Sequence, residues 1–218
     1  MMDARDVVIV LLAAGRALRL GRPKLAEVVG GRTLLERALE ACRHHPTIVV
    51  VGPQSEELLR RLGPPAHVRS IVRQPAPERG LASSARLGAC AAPRGAAVAI
   101  VLADRPFLTS ETVDRVIERY REGGAEVVYP VVQGVPAHPV VFGPTLRERL
   151  ERVSGGESLR ALRDAPGALT ARVECDDAGA LFDVDTEDDL ARARAWGGTA
   201  GIARGQRNGK HDPSRTET

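Results

Sequence analysis

Residues 11–25 (LLAAGRALRLGRPKL) contain side chains suited to binding an anion. An apolar run ends there in a long loop with two glycines, three arginines and one lysine. Glycines allow backbone N–H groups to approach oxygen atoms closely, and arginine and lysine neutralise negative charge. The spacing Gly15-x5-Gly21-x2-Lys24 matches neither the Walker pattern nor the dinucleotide fingerprint. A polyphosphate cradle therefore competes with a solvated basic loop that binds nothing.

The cysteines and histidines show no catalytic or zinc-binding spacing. Cys42, Cys90 and Cys175 are far apart and odd in number, which indicates a reduced cytosolic protein without a disulfide framework. Cys90, on an alanine-rich predicted helix, is expected to be a small core residue. His138 precedes an apolar strand, where a lone histidine is more often structural than functional.

Charge and composition argue against nucleic acid and membrane partners. The formal net charge is +3, and +2 of it lies in residues 197–218, which leaves the rest of the chain close to neutral. Aromatic residues make up only 3% of the chain, too few for base-stacking platforms. The apolar run at residues 7–14 is too short to span a bilayer, and it follows Asp3 and Asp6, unlike a signal peptide. We expect a cytoplasmic protein.

Hydrophobic periodicity predicts alternating strands and helices. Strands are expected at residues 7–12, 47–51, 68–72, 96–102, 126–132, 139–142 and 169–174. Helices are expected at residues 33–42, 55–62, 81–92, 109–120, 145–153, 159–164 and 186–196. Thr33 and Thr109 are predicted N-caps, and Glu36 completes a capping box with Thr33.

This alternation predicts an α/β fold. The expected architecture is a Rossmann-like three-layer sandwich around a mostly parallel sheet. The rhythm breaks at residues 134–142, which indicates an inserted hairpin or antiparallel strand. Residues 1–196 are expected to form one domain, and residues 197–218, with almost no apolar side chains, a disordered basic tail.

Five segments in order resemble motifs of the molybdenum-cofactor nucleotidyltransferase family. The segments are LAAGRALRLGRPK (12–24), GLASSARLGA (80–89), VLADRPFLT (101–109), AHPVVF (137–142) and FDVDTEDDL (182–190). The first is similar to the family's L-A-[AG]-G-x-S-x-R-x-G-x-x-K, with Ala17 in place of the usual serine. Five ordered matches up to Trp196 are far more specific than one loop.

The resemblance implies roles for the loop and for the segment around Gly80. Arg19 and Lys24 would hold the triphosphate and stabilise charge at the α-phosphate, and are catalytic candidates. Gly80, Ser83 and Ser84 would lie near the base or ribose, although a simple helix start explains them too. The implied nucleotide-binding set is Leu12, Ala13, Ala14, Gly15, Arg19, Lys24, Gly80, Ser83 and Ser84.

The resemblance also implies a metal and an acceptor site. Asp104, at the end of a strand, is a catalytic candidate and would bind Mg²⁺ together with Asp185, for which Asp183 is the substitute. Helix capping is the alternative for these residues, because Thr109 and Thr186 begin helices. His138 would lie by the acceptor substrate.

The implied activity is Mg²⁺-dependent transfer of a nucleoside monophosphate to a phosphorylated acceptor, with release of pyrophosphate. In the family, Leu-Ala-Ala-Gly accompanies cytidine nucleotides, so Ala14 favours CTP. The resemblance as a whole implies molybdopterin as the acceptor. A guanylyltransferase, another small-acceptor transferase and a non-catalytic nucleotide-binding regulator or chaperone remain alternatives. A molybdoenzyme is the protein partner that the resemblance allows. Two segments of the sequence depart from the family's motifs. These are Pro136-Ala137 and residues 155–160, both in the acceptor half.

Overall fold

A computed structural model describes residues 6–15, 20–153 and 158–196. The predicted tail, residues 197–218, lies outside the described residues, as do Arg19 and residues 155–157 of the segment 155–160. Within the described residues, no helix is long and apolar enough to cross a bilayer.

Eight strands form one central sheet, and two further strands form a small hairpin. The central strands are β1 (Val7–Ala13), β4 (Thr47–Val51), β5 (Val68–Arg73), β6 (Ala97–Leu102), β7 (Val127–Val132), β8 (Val135–Pro136), β9 (Val140–Phe142) and β10 (Thr170–Glu174). The hairpin pairs β2 (Val28–Val29) with β3 (Arg32–Thr33). Its strands of two residues each are too short to give a periodic signal, so the sequence does not predict them.

The sheet is mostly parallel, as predicted. Its order is β10-β7-β9-β6-β1-β4-β5, with β8 paired to β7. β1 lies parallel to both β4 and β6, whereas β9 is antiparallel to β6 and β7, and β8 is antiparallel to β7. The break in rhythm at residues 134–142 is therefore the antiparallel insertion. The chain moves from β1 to β4 and β5 on one side and returns to β6 on the other, so the ends of β1 and β6 border the switch point where α/β proteins bind ligands.

Seven α-helices cover the two faces of the sheet in the described chain. They are α1 (Leu34–Ala41), α2 (Pro53–Leu62), α3 (Gly80–Ala91), α4 (Ser110–Arg121), α5 (Pro144–Glu151), α6 (Leu159–Arg163) and α7 (Glu187–Arg194). Alternate residues of β1 enter two separate cores. Val7, Ile9 and Leu11 pack towards α1, α4 and α7, and Val8 and Val10 pack towards α3 and α5. The three-layer sandwich is confirmed.

Helix ends follow the predicted capping chemistry. Thr33 caps α1 and forms a capping box with Glu36, and Thr109 caps α4. α2 begins two residues earlier than predicted, because Pro53 takes the first helical position. The expectation for Cys90 was wrong: this side chain is exposed. The buried face of α3 consists of Ser84, Ala85, Gly88 and Ala89, and Cys90 lies just outside it.

Candidate active site

The end of β1 opens into a cavity of about 630 Å³. Ala13, Ala14 and Gly15 form one wall of the cavity, and Lys24 and Gly52 contribute others. Ala14 is buried, whereas Gly15 is exposed. A cavity of this size is typical of a small-molecule site. Leu12 does not line the cavity, because its side chain belongs to the core packed between the sheet and α3.

Small residues let two backbone segments meet at the back of the cavity. A Cβ atom placed on Gly52 would lie 3.4 Å from the carbonyl oxygen and 3.6 Å from the Cα of Ala14. A Cβ atom on Gly15, by contrast, would have no heavy atom of the described residues within 4 Å, its chain neighbours aside. Within the described residues, the space beside Gly15 is therefore open to a ligand, and the backbones of Ala14 and Gly52 lie in contact.

Lys24 connects the two aspartates predicted as metal ligands. Its Nζ lies 3.0 Å from Oδ2 of Asp104 and 2.9 Å from Oδ1 of Asp185. The lysine is 80 residues from Asp104 and 161 residues from Asp185 in the sequence. The fold therefore brings three of the predicted site residues together beside the cavity.

Local structure fixes the backbone of each of the three residues. Lys24 begins a 3-10 turn (Lys24–Ala26) anchored by the buried side chain of Leu25. Asp104 follows β6, and its carbonyl oxygen accepts a hydrogen bond from the backbone N–H of Val184. The backbone N–H of Asp185 donates to Oδ2 of Asp189 in the first turn of α7.

Helix capping does not occupy the two carboxylates. Thr109 is the N-cap of α4, and its hydroxyl accepts a hydrogen bond from the N–H of Thr112. Thr186 is the N-cap of α7 and forms a capping box with Asp189. The alternative that Asp104 or Asp185 is a cap therefore loses its basis, because threonines fill that role at both helices.

Lys24 carries a positive charge in this environment. Burial alone would lower the pKa of its ammonium group, but the charge of Asp104 and the hydrogen bonds that the ammonium group donates to Asp185 and Asp104 outweigh that effect and raise the pKa. Partial desolvation and the nearby charges of Asp185 and Asp104 raise the pKa of Asp183, while Arg105 opposes the rise. The carboxylates thus concentrate negative charge around one ammonium group.

The donor set fits a hard divalent cation. Oδ1 of Asp104 is buried and has no hydrogen-bond partner in the described part of the chain, so one carboxylate oxygen is left for another ligand. Over the described ranges, no group of three or more His, Cys, Asp or Glu side chains is arranged to hold a metal. Two carboxylates suit Mg²⁺, which usually keeps waters and substrate phosphates as its other ligands.

The residues around Gly80 are arranged differently from the prediction. Nε2 of the buried Gln74 donates hydrogen bonds to the hydroxyls of Ser83 and Ser84, at 3.3 and 3.0 Å. Neither serine lines the cavity beside Gly15 or the second cavity described next. The two serines support the loop after β5, and Gly80 alone of the three lines a cavity.

A second cavity, of about 680 Å³, lies by His138. Gly80 and the side chains of Arg79, Arg160 and Arg163 also line it. The Nδ1 atom of His138 lies 3.1 Å from the carbonyl oxygen of Ile100. Because a carbonyl oxygen only accepts, Nδ1 carries the proton and Nε2 keeps its lone pair.

His138 is a neutral side chain. Desolvation, reinforced by the charge of Arg105, lowers its pKa to about 4. A neutral imidazole with a free Nε2 accepts a hydrogen bond and adds no positive charge. The positive charge of the second cavity therefore comes from its arginines, and the histidine offers an acceptor.

The structure also reveals residues near the site that the sequence did not indicate. Arg22 pairs with Glu27 and Glu187, which connects the basic loop to α7. Arg105 donates to the carbonyl oxygen of Ala180 and leaves its buried Nε without a partner. A charged residue directly after Asp104 at a strand end was a signal available in the sequence, whereas no local pattern marks Gln74 as the partner of two serines.

The family model described as "MobA-like NTP transferase domain" matches residues 9–172. A probable molybdenum cofactor guanylyltransferase of Mycolicibacterium paratuberculosis is 32% identical over 210 residues, 89% of this chain and all of that protein. A 2-C-methyl-D-erythritol 4-phosphate cytidylyltransferase of Thermus thermophilus is 35% identical, covering 76% of this chain and 71% of that protein.

Other relatives carry other names. A nicotine blue oxidoreductase of Paenarthrobacter nicotinovorans is 32% identical, covering 87% of this chain and 97% of that protein. The bifunctional protein GlmU of Granulibacter bethesdensis is 29% identical over 65% of this chain. The chain spans only about a third of the length of the GlmU proteins that it matches.

Solved structures share the fold. Rv0371c of Mycobacterium tuberculosis H37Rv superposes with a TM-score of 0.77 at 24% identity, covering 88% of this chain and all of that one. Its homologue from Mycobacterium sp. strain JC1 superposes with a TM-score of 0.74 at 27% identity, over 89% of this chain and 97% of that one. A further structure of Rv0371c, at 22% identity and a TM-score of 0.69, is described as a complex with manganese and covers 87% of this chain and 98% of that one.

Proposed function

Because this chain belongs to the family of MobA-like NTP transferase domains, we propose that it transfers CMP from CTP to a phosphorylated acceptor, which we take to be molybdopterin. A phosphate oxygen of the acceptor attacks the α-phosphorus, the bond to the β-phosphate breaks, and pyrophosphate leaves. The observation that carries the proposal is the convergence of Lys24, Asp104 and Asp185 beside the cavity at the end of β1.

Positioning and charge neutralisation supply most of the rate in this mechanism. Lys24 donates to the phosphates, Arg19 assists it from the same loop, and the exposed backbone at Gly15 lets the nucleotide approach closely. Asp104 and Asp185 would hold Mg²⁺, which neutralises phosphate charge when bound. The chain needs no covalent nucleophile, because the acceptor brings its own.

Ala14 supports the choice of CTP. Ala14 is buried and lines the cavity, and its backbone lies against Gly52, since a Cβ atom on Gly52 would lie 3.4 Å from the carbonyl oxygen of Ala14. A methyl group at this position narrows the pocket and favours a pyrimidine over a purine. The relatives include both a guanylyltransferase and a cytidylyltransferase by name, so the base is assigned by this argument about volume.

The second cavity supports an anionic acceptor. Arg79, Arg160 and Arg163 can receive phosphate, and the free Nε2 of His138 can accept a hydrogen bond from an N–H or O–H group. Molybdopterin offers both a phosphate and ring N–H groups. The relatives named as molybdenum cofactor guanylyltransferases favour this acceptor, and a molybdoenzyme would then receive the product.

Pyrophosphate release tests the proposal. The chain is incubated with Mg²⁺, a molybdopterin-type acceptor and each of CTP, GTP, ATP and UTP, and pyrophosphate is measured with and without acceptor. We expect acceptor-dependent release that is fastest with CTP. Faster release with GTP would replace the cytidylyltransferase by a guanylyltransferase.

Two further outcomes would exclude transfer. Nucleotide-induced thermal stabilisation without turnover would indicate a binding regulator. Acceptor oxidation or reduction without release of pyrophosphate would indicate chemistry of the kind for which the relative from Paenarthrobacter is named.

The variant Asp104→Asn is the matched control. An amide is a weaker ligand for a hard cation, so this substitution should remove turnover without loss of fold.

A further inference from the structure

The ammonium group of Lys24 lies at one oxygen of each carboxylate that would hold a metal ion, while Oδ1 of Asp104 has no hydrogen-bond partner among the described residues. Oδ2 of Asp104 and Oδ1 of Asp185 both accept hydrogen bonds from it, at 3.0 and 2.9 Å. Only 11% of the lysine side chain is exposed, whereas the side chains of Asp104 and Asp185 are 28% and 49% exposed, so the ammonium group is largely buried and the carboxylates remain partly open to solvent. The lysine therefore acts as an internal counter-cation for the two carboxylates.

We propose that Lys24 excludes divalent metal from Asp104 and Asp185 until a nucleoside triphosphate draws its ammonium group away, so that metal and nucleotide bind together. This inference rests on the proposed function, because it takes the two aspartates as metal ligands. It adds an order of binding: the protein without nucleotide has little affinity for the metal.

Electrostatics supports exclusion. A divalent ion bound to the same two carboxylates would lie close to a positive ammonium group, and like charges at such distances repel. The carboxylates cannot easily withdraw. The carbonyl oxygen of Asp104 is held by the N–H of Val184, and the N–H of Asp185 is held by Asp189.

The lysine side chain is the element that can move. Its backbone is fixed, since the N–H of Glu27 donates to the carbonyl oxygen of Lys24 and the adjacent Leu25 is buried. Its four-carbon stem has several rotatable bonds, and Lys24 lines the cavity assigned to the nucleotide. A triphosphate there offers the ammonium group new anionic partners and frees both carboxylates.

Mn²⁺ titration of the full-length protein tests the order of binding. Mn²⁺ is followed by electron paramagnetic resonance, with and without a non-hydrolysable CTP analogue. In the absence of nucleotide, we expect Lys24→Met to bind Mn²⁺ about tenfold more tightly than the wild type, or more, because a competing positive charge is gone. The wild type should gain affinity for Mn²⁺ when the analogue is added, and Lys24→Met should gain less.

Arg22→Met is the matched control. Arg22 is another cation of the same loop, but it pairs with Glu27 and Glu187. Its removal should leave the affinity for Mn²⁺ without nucleotide unchanged. In the Lys24→Met background, Asp104→Asn should abolish the added affinity, which assigns the binding to this site. If Lys24→Met is unstable in a thermal melt, Lys24→Gln replaces it.

Two results would overturn the inference in distinguishable ways. Equal or weaker binding of Mn²⁺ by Lys24→Met, with binding still dependent on Asp104, would refute exclusion by Lys24 and leave the proposed transferase intact. Binding of Mn²⁺ that does not depend on Asp104 in any of the proteins, with or without the analogue, would refute both the inference and the metal site of the proposed function.

Discussion

Gly15 offers a test that separates nucleotide binding from folding. In Gly15→Ala, the added Cβ would have no heavy atom of the described residues within 4 Å, its chain neighbours aside, and the backbone does not have the positive φ that requires glycine. The folded state should therefore tolerate the methyl group. Such a substitution typically raises the free energy of unfolding by about 0.4–1 kcal/mol, because the unfolded chain loses conformational freedom.

Nucleotide binding should respond in the opposite direction. The new methyl group would enter the 630 Å³ cavity where the backbone is expected to approach the ligand. One extra methyl group in a fitted pocket costs about 1–3 kcal/mol, so we expect the Kd for CTP to rise roughly 10- to 200-fold.

Gly88→Ala is the matched control, with the reverse expectation. Its Cβ would lie 2.1 Å from Cγ1 of Val10 and 3.0 Å from Cγ2 of Val50, inside the core. Overpacking of this kind costs about 1–3 kcal/mol, which lowers the melting temperature of a domain of this size by roughly 2–12 °C. The affinity for CTP should stay at the wild-type value at temperatures where the variant is folded.

Isothermal titration calorimetry with CTP and Mg²⁺, together with scanning calorimetry of the three proteins, measures both effects. Wild-type affinity in Gly15→Ala would show that the nucleotide does not approach Gly15, and the assignment of this cavity would fail. A large loss of stability in Gly15→Ala would show that the space beside Gly15 is needed for folding instead.

Three further predictions concern stability, pH and the base. Arg147 is buried and donates to the carbonyl oxygens of Ala89, Ala92, Pro93 and Ala96. Arg147→Met should therefore lower the free energy of unfolding, measured with urea, by about 3 kcal/mol or more, and a decrease below about 1 kcal/mol would contradict this account. Burial lowers the pKa of His138 to about 4, so its stabilising neutral form is fully present above pH 6.5 and is lost as the pH falls towards 4. Between pH 7 and 4, the free energy of unfolding of the wild type should fall by roughly 3 kcal/mol more than that of His138→Gln. An equal fall in both proteins would refute a neutral His138. Ala14→Gly should shift the preference partly from CTP towards GTP, by about 1–3 kcal/mol at most, when the two nucleotides compete at equal concentrations. An unchanged ratio of CTP to GTP turnover would show that Ala14 does not line the base pocket.

The sequence by itself determined the elements with strong local signals. The apolar β-branched runs of β1, β4 and β6 can only be strands buried on both faces, so their type and parallel pairing followed from the residues. Thr33 and Thr109 cap helices because their hydroxyls bond to N–H groups three residues away. The short strands β2 and β3 were not predicted, since two residues show no hydrophobic period.

The site residues show the same division between what the sequence indicates and what the fold decides. The glycines, Lys24 and Asp104 could be selected from residue type and position at strand ends, before any contact was known. The ion pairs of Lys24 with Asp104 and Asp185 depend on the order of the strands, which brings Nζ of Lys24 to 2.9 Å from Oδ1 of Asp185, 161 positions away.

Only the tertiary structure decided the partners of the polar groups. Gln74 holds the hydroxyls of Ser83 and Ser84, and the carbonyl oxygen of Ile100 fixes the proton on His138. Local sequence determines backbone conformation, because the steric and hydrogen-bonding interactions that set this conformation act over three or four residues. Hydrogen-bond partners and desolvation depend on neighbours from distant elements, and packing alone determines which of these meet.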